Sequence, residues 1–141
     1  MTMTNAVRFA AGATLAATMF AGTVLAGAGS AYAATNLDGR LESGEFGLYY
    51  NSGGLGCVRD SFYDDNTFVG DNFKDPYGVN CAGEGQTTND NTASYWNRDA
   101  YQWEVDTDSY RSGIKGWIPA GYSGDASSNF KNEISSNFID W

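Results

Sequence analysis

The 141-residue sequence predicts an all-β protein, an antiparallel Greek-key sandwich with little helix. Short aromatic strands alternate with frequent Gly, Asn, Asp and Ser, which favour turns. No stretch places apolar residues at i, i+3 and i+4 over three turns, so helix is expected only as a single turn. The third observation is a recurrence. Asp90-Asn91-Thr92-Ala93-Ser94 and Lys131-Asn132-Glu133-Ile134-Ser135 each close a stretch that opens with an aromatic-rich strand and a Gly-bearing turn. The openings are Glu45 to Tyr50 with Asn51 to Gly56, and Gln102 to Val105 with Asp106 to Gly113. Such self-similarity predicts two tandem copies of one unit, over about 44–99 and 100–141.

Residues 1–33 read as a secretory signal. Arg8 supplies a basic start, Phe9 to Ala28 is uncharged, and Ala31-Tyr32-Ala33 offers the small-x-small site, with cleavage expected after Ala33. The competing reading is an N-terminal membrane anchor. It is disfavoured because Gly and Ala dilute the run and the cleavage site follows at once. No other apolar stretch approaches the ~20 residues of a membrane helix. The mature chain is expected to be secreted, extracellular and monomeric, with no membrane partner. Residues 34–43 are polar and aperiodic and predict a flexible lead-in to a domain over 44–141.

Within the domain, Glu45 to Tyr50 carries Phe46, Leu48 and Tyr50 at alternate positions, the pattern of a half-buried strand. Asn51-Ser52-Gly53-Gly54 is a turn. Cys57 to Tyr63 and Phe68 to Phe73 are strand candidates divided by Asp64-Asp65-Asn66, and Pro76 to Asn89 reads as a long loop pinned at Cys81. Thr92 to Asn97 is again strand-like. The second half runs through a strand at Gln102 to Val105, a turn at Ser109 to Gly113 and a strand at Ile114 to Pro119. A loop over Gly121 to Ser128 and a closing strand over Ile134 to Trp141 complete it.

The chain holds 17 Asp and Glu against 8 Lys and Arg, one of which is Arg8 in the leader. An acidic surface without a basic stripe repels phosphates, which excludes nucleic acid and anionic membranes as partners. Cys57 and Cys81 are the two cysteines. In an oxidising compartment they are expected to pair, and closing their loop should stabilise the fold by ~3 kcal/mol. The alternatives are two free thiols or a metal pair, the latter lacking any His or further Cys to complete a site.

Three segments carry a family likeness. They are Gly44-Glu45-Phe46-Gly47-Leu48-Tyr49-Tyr50-Asn51-Ser52, Asn89-Asp90-Asn91-Thr92-Ala93-Ser94-Tyr95-Trp96-Asn97 and Phe130-Lys131-Asn132-Glu133-Ile134-Ser135-Ser136. They resemble the βγ-crystallin fold, and specifically the secreted actinobacterial metalloproteinase-inhibitor family (peptidase inhibitor family "I thirty-six"). In such a unit Ser94 and Ser135 would each tie a folded hairpin through a hydroxyl, and Tyr50 would pack over the Gly-bearing turn. The resemblance also implies calcium, which many proteins of this fold bind between units. Their pattern asks for two Asn or Asp, two free positions, then Ser or Thr followed by Ser. The first copy supplies Asp90, Asn91 and Ser94 but has Tyr95 last. The second supplies Asn132, Ser135 and Ser136 but opens with Lys131. Calcium takes six to eight oxygens and an ammonium opposes it, so any binding is expected to be weak and no cofactor to be required.

The absence of histidine removes His-based triads and dyads. Lys74, Lys115 and Lys131 stand in no Ser-x-x-Lys arrangement. Asp64, Asp65, Asp106 and Asp108 offer carboxylates for glycoside hydrolysis, but tandem acids in turns are ordinarily solvated. An enzyme is not expected. Trp96, Trp103, Trp117 and Trp141 read as packing on strands, or as a contact platform. Cys57-Val58-Arg59 is the candidate inhibitory loop, with a strand start at Cys57 as the competing reading. The function implied by the resemblance is non-covalent inhibition of an extracellular peptidase, a metallopeptidase in the first instance. The alternatives are a calcium-binding or structural extracellular domain, and an exported toxin or cell-wall-binding module.

Overall fold

The computed structural model describes residues 33–141. The secretory signal expected over 1–33 lies outside the described residues apart from Ala33. Seven strands follow in order: β1 Phe46–Asn51, β2 Leu55–Ser61, β3 Ser94–Asn97, β4 Gln102–Asp108, β5 Ser112–Ile118, β6 Ser123–Asp125 and β7 Ser136–Asp140. Among the described residues the one helical element is a 3-10 turn at Ser52–Gly54. One sheet has the order β2-β1-β3-β6 and the other β5-β4-β7, antiparallel throughout. Among the described residues no helix is long and apolar enough to cross a membrane.

Alternation along the strands builds the core. Phe46 and Leu48 on β1 face Trp103 and Val105 on β4, with Phe68, Ile118 and Ile134 filling the space between. Phe46 and Trp103 stack across the two sheets with centroids 5.1 Å apart. Burying each such side chain contributes about 1.5–3 kcal/mol. On the other face of the first sheet, Gly47 is required. A Cβ there would come within 2.7 Å of Leu41, which packs over the strand.

The two halves repeat their contacts. The β1–β2 hairpin has an irregularity between Tyr49 and Asn51, and the β4–β5 hairpin has one between Asp106 and Asp108. β3 flanks β1 as β7 flanks β4. Each half also reaches into the other's sheet. β6 pairs with β3, and Asp65 forms a bridge with Asn137 of β7 through reciprocal backbone bonds of 2.8 and 3.0 Å.

Three sequence expectations require correction. Phe68 to Phe73 is not a strand. Phe68 and Phe73 are both buried as expected, but Gly70 is at φ 95° and the backbone turns there. The loop expected over Gly121 to Ser128 contains β6, whose Ser-Gly-Asp composition gives no strand signal. The lead-in expected to be flexible over 34–43 is tied to β2. The Asp60 carboxylate accepts the N–H groups of Asp38 and Gly39 at 2.9 and 2.7 Å, and Leu37 N–H donates to the Asp60 carbonyl.

Where the crossing segment passes β2, Arg59 lies between the sheets with 3 % exposure. Its guanidinium meets Asp71 at 2.9 Å and Asp65 at 2.5 Å, donates to Ser61 and to Asn137 Oδ1 at 3.1 Å, and lies 3.9 Å from the Phe68 ring centroid. Burial lowers its pKa against the opposing pull of Asp71 and Asp65. Removing it empties a buried site and leaves the half-buried Asp65 and Asp71 carboxylates without their partner. Arg59→Ala is therefore expected to lower unfolding free energy by about 3–5 kcal/mol in urea titration. Arg59→Lys should recover only part, because one ammonium cannot reproduce the fork.

Candidate functional site

The candidate inhibitory loop is not a loop. Cys57, Val58 and Arg59 lie inside β2 with 2 %, 8 % and 3 % exposure. Val58 is paired across from Tyr49 and Arg59 across from Leu48. The Gly-rich turn before them made exposure plausible, but the sheet takes up the strand immediately after Ser52–Gly54. The disulfide itself is as expected: Cys57 and Cys81 are bonded with Cα atoms 5.1 Å apart.

What the disulfide holds is an excursion over residues 72–87. Its base is closed by a bridge between Asn72 and Thr87, by Phe73 N–H to the Gln86 carbonyl and by Gly85 N–H to the Phe73 carbonyl, each bond 2.9 Å. Cys57 N–H donates to the Ala82 carbonyl at 2.9 Å beside the disulfide. Tyr50 lies edge-on to Phe73, with ring centroids 5.6 Å apart, and rests on Gly83, where any Cβ would collide with its ring. Tyr50 thus packs on this excursion, beyond the turn that the sequence assigned to it. At the tip, the Asp75 carboxylate accepts Tyr77 N–H at 3.2 Å and Asn80 N–H at 2.6 Å. Desolvation raises its pKa, but the N–H groups of Val79, Asn80, Tyr77 and Cys81 together outweigh it and hold the carboxyl below its ordinary value. Nothing in the sequence reading identified Tyr77 to Asn80. The available signal was Asp-Pro followed by Gly, a turn that stops at a cysteine.

The motif residues are brought together, in a register one residue away from the expected one. Ser94 Oγ donates to the Asn51 carbonyl at 2.6 Å and accepts Gly54 N–H at 2.9 Å, tying the first hairpin. Its counterpart is Ser136, whose hydroxyl donates to the Asp108 carbonyl at 2.8 Å. Ser135 does not tie a hairpin. Its hydroxyl donates to Asp90 Oδ1 at 2.8 Å. Asp90 and Asn132 are the matching positions, both left-handed at φ 56° and 59°. Asp90 N–H donates to the Ile134 carbonyl and Asn132 N–H to the Thr92 carbonyl. Ala93 therefore stands where the second copy has Ser135.

This register decides what each motif offers a cation. At the second, Asn132 faces Ala93, which has no hydroxyl, and the Lys131 ammonium donates to Ser52 Oγ at 3.2 Å. A positive charge already stands there, so that site does not fit calcium. At the first, Asp90 and Ser135 supply three side-chain oxygens, and Asn91 turns its amide to the Thr87 carbonyl. Among the described residues no group of three or more His, Cys, Asp or Glu is placed to hold a metal.

The carboxylates expected to be solvated are in part engaged. Glu104 accepts from Arg111 and Lys115, and Asp106 from Lys115. The Arg111 hydrogen bond above all lowers the Glu104 carboxyl to about 2, while burial raises that of Asp106. Asp64 accepts Ile139 N–H. Glu45 is fully buried ahead of β1, where one oxygen accepts Glu42 N–H at 2.7 Å and the other has no partner among the described residues. Burial raises it from 4.5 to about 8 against the pull of that N–H, with Glu42 and Asp60 adding to the rise. Of the tryptophans only Trp103 is core; Trp96, Trp117 and Trp141 are exposed, correcting the expectation of packing for all four.

Two measurements test these assignments. Ser94→Ala and Ser136→Ala should each cost about 1–2 kcal/mol in denaturant unfolding, more than Ser135→Ala. Between pH 4.5 and about 8 the folded state keeps the Glu45 proton that the unfolded chain releases. Stability should therefore fall as pH rises through that window and level off above it. Glu45→Gln should abolish that slope, being more stable than the parent at pH 8 and equal to it near pH 4.

No family model matches the chain, and no curated protein matches it. Two solved structures do. One, from "Evolution of the eye lens beta-gamma-crystallin domain fold", is 16 % identical over 77 % of this chain and 93 % of its own, with a TM-score of 0.54. The other, the βγ-crystallin of Ciona intestinalis, is 17 % identical over 69 % of this chain and 100 % of its own, with a TM-score of 0.51. Identities this low speak to fold alone: the chain has an all-β, βγ-crystallin-like fold closed by the Cys57–Cys81 disulfide.

Proposed function

We propose that the chain is a secreted, non-enzymatic domain of two tandem Greek-key units that inhibits an extracellular peptidase by non-covalent occlusion of its cleft. The units span about 44–99 and 100–141; β6 of the second pairs with β3 of the first, and Asp65 of the first bridges Asn137 of the second. The observation that carries the reading is the 72–87 excursion, an exposed segment cross-linked to a buried strand. Restraint before binding lowers the ordering cost on binding, which is what an occluding segment needs. The likeness of the motif segments to the metalloproteinase-inhibitor family supports it. So does the engagement of Glu104, Asp106, Asp65 and Asp71 by Arg or Lys, which leaves these acids poorly suited to proton transfer.

Calcium binding is the second reading, favoured by the Asp90–Ser135 pair. With three side-chain oxygens the affinity would be weak, and it would belong to the first motif only.

Titration of the mature protein against secreted metallo- and serine peptidases tests both readings. Stoichiometric inhibition that disappears on reduction of Cys57–Cys81 is expected. Absence of inhibition across the panel would sink the leading reading. Added calcium should raise the melting temperature slightly, and Asp90→Ala should remove that rise. An unchanged melting temperature of the parent would discard the second reading.

A further inference from the structure

The two halves differ most in length. Ser94 follows its hairpin partner Asn51 by 43 residues, whereas Ser136 follows Asp108 by 28. The additional chain in the first half is taken up by the 72–87 excursion. It is an elaboration that the β-sandwich does not need, since the second half closes the same contacts without it. Loops elaborated on a rigid scaffold are where binding function concentrates.

Within the excursion, restraint and exposure fall on the same residues. The base is zipped by backbone bonds, the middle is bonded to β2 through Cys81, and the tip is held from inside by Asp75. Tyr77 and Val79 are nevertheless 65 % and 67 % exposed. Two large side chains are thus presented to water at the end of a restrained segment, Tyr77 with Arg40 against one face of its ring. The tip Tyr77-Gly78-Val79-Asn80 has no charged side chain in a chain of net charge −9, and the neighbouring Asp75 carboxylate is turned to the tip's own N–H groups. The cations beside it are Lys74 at the base and Arg40, whose guanidinium lies 4.8 Å from the Tyr77 ring centroid.

Resting on the inhibitory reading, we infer that Tyr77 and Val79 are the residues that enter the peptidase cleft. Tyr77 fills an apolar pocket and Val79 packs on its wall. The partner has an apolar specificity pocket on a neutral or basic surface, since the chain's net charge of −9 would repel an acidic one on approach. Gly78 and Asn80 are left-handed, at φ 63° and 56°. The backbone therefore turns back on itself, and cannot lie along a cleft as an extended substrate strand does. The tip acts as a plug held by side chains, and the bonds of Tyr77 to Asn80 should survive incubation with the inhibited peptidase.

The test compares three proteins against the same peptidase panel: the parent, a Tyr77→Ala/Val79→Ala variant, and Tyr122→Ala as an exposed aromatic outside the excursion. Thermal melts verify that each is folded. Loss of two central apolar contacts should raise the inhibition constant about 30-fold or more, with Tyr122→Ala within about 3-fold of the parent. Val79→Asp, which leaves the tip backbone alone, should weaken inhibition comparably. Parent-like inhibition by both tip variants would overturn the assignment of the tip and leave the inhibitory reading standing. A parent that inhibits no peptidase would overturn both. Cleavage within Tyr77 to Asn80 by the inhibited enzyme would overturn the plug geometry.

Discussion

A single buried guanidinium joins the parts of this sandwich that strand pairing leaves apart. The segment between β2 and β3 crosses from one sheet to the other, and its backbone makes only isolated contacts there. Arg59 receives it, holding Asp65 and Asp71 by charge and Phe68 by its ring, while Ser61 and Asn137 take the remaining donors. Desolvating such a cluster is costly, and an apolar core of equal volume could be as stable. What the cluster supplies is specificity of position. An apolar patch tolerates sliding, whereas a planar fork with partners on three elements admits one arrangement.

The same strand anchors everything peripheral. Cys57 holds the excursion, Arg59 the crossing segment and Asp60 the lead-in, at neighbouring positions of β2. The lead-in in turn reaches the excursion, because Arg40 lies over Tyr77 and Gly39 packs beneath Pro76. Structure and proposed function therefore share a support. A contact surface built in this way is stiff because its base is the sandwich interior. Stiffness of that kind is what separates an occluding plug from a mobile loop that a peptidase would digest.

Much of the architecture was legible because it rests on alternation and turn chemistry. Phe46 and Leu48, or Trp103 and Val105, face one way by the period of a strand, whatever surrounds them. The disulfide followed from two cysteines and the expectation of an oxidising compartment. The misses have equally definite causes. Phe68 and Phe73 are apolar because each fills a separate hollow, so their spacing imitates a strand without forming one. β6 is Ser-Gly-Asp, and it is a strand only because β3 offers an edge to it. The motif register slipped by one because Ser135 and Ser136 are both serines. Only the hydrogen bonds to Asp90 and Asp108 show which of the two ties the hairpin.

Local chemistry thus sufficed for the all-β class, the strand faces and the cross-link, since each depends on residues close in sequence or on residue type alone. The candidate site depended on contacts between residues far apart. Cys57 to Arg59 could be read as a loop beside a glycine turn or as a strand start, and the strand reading holds, because the segment pairs with β1 and is buried. Tyr77 and Val79 looked like ordinary loop residues until the disulfide, Asp75 and the zipped base showed them held outward. Burial is a property of the assembled sheets, and no window of sequence contains it.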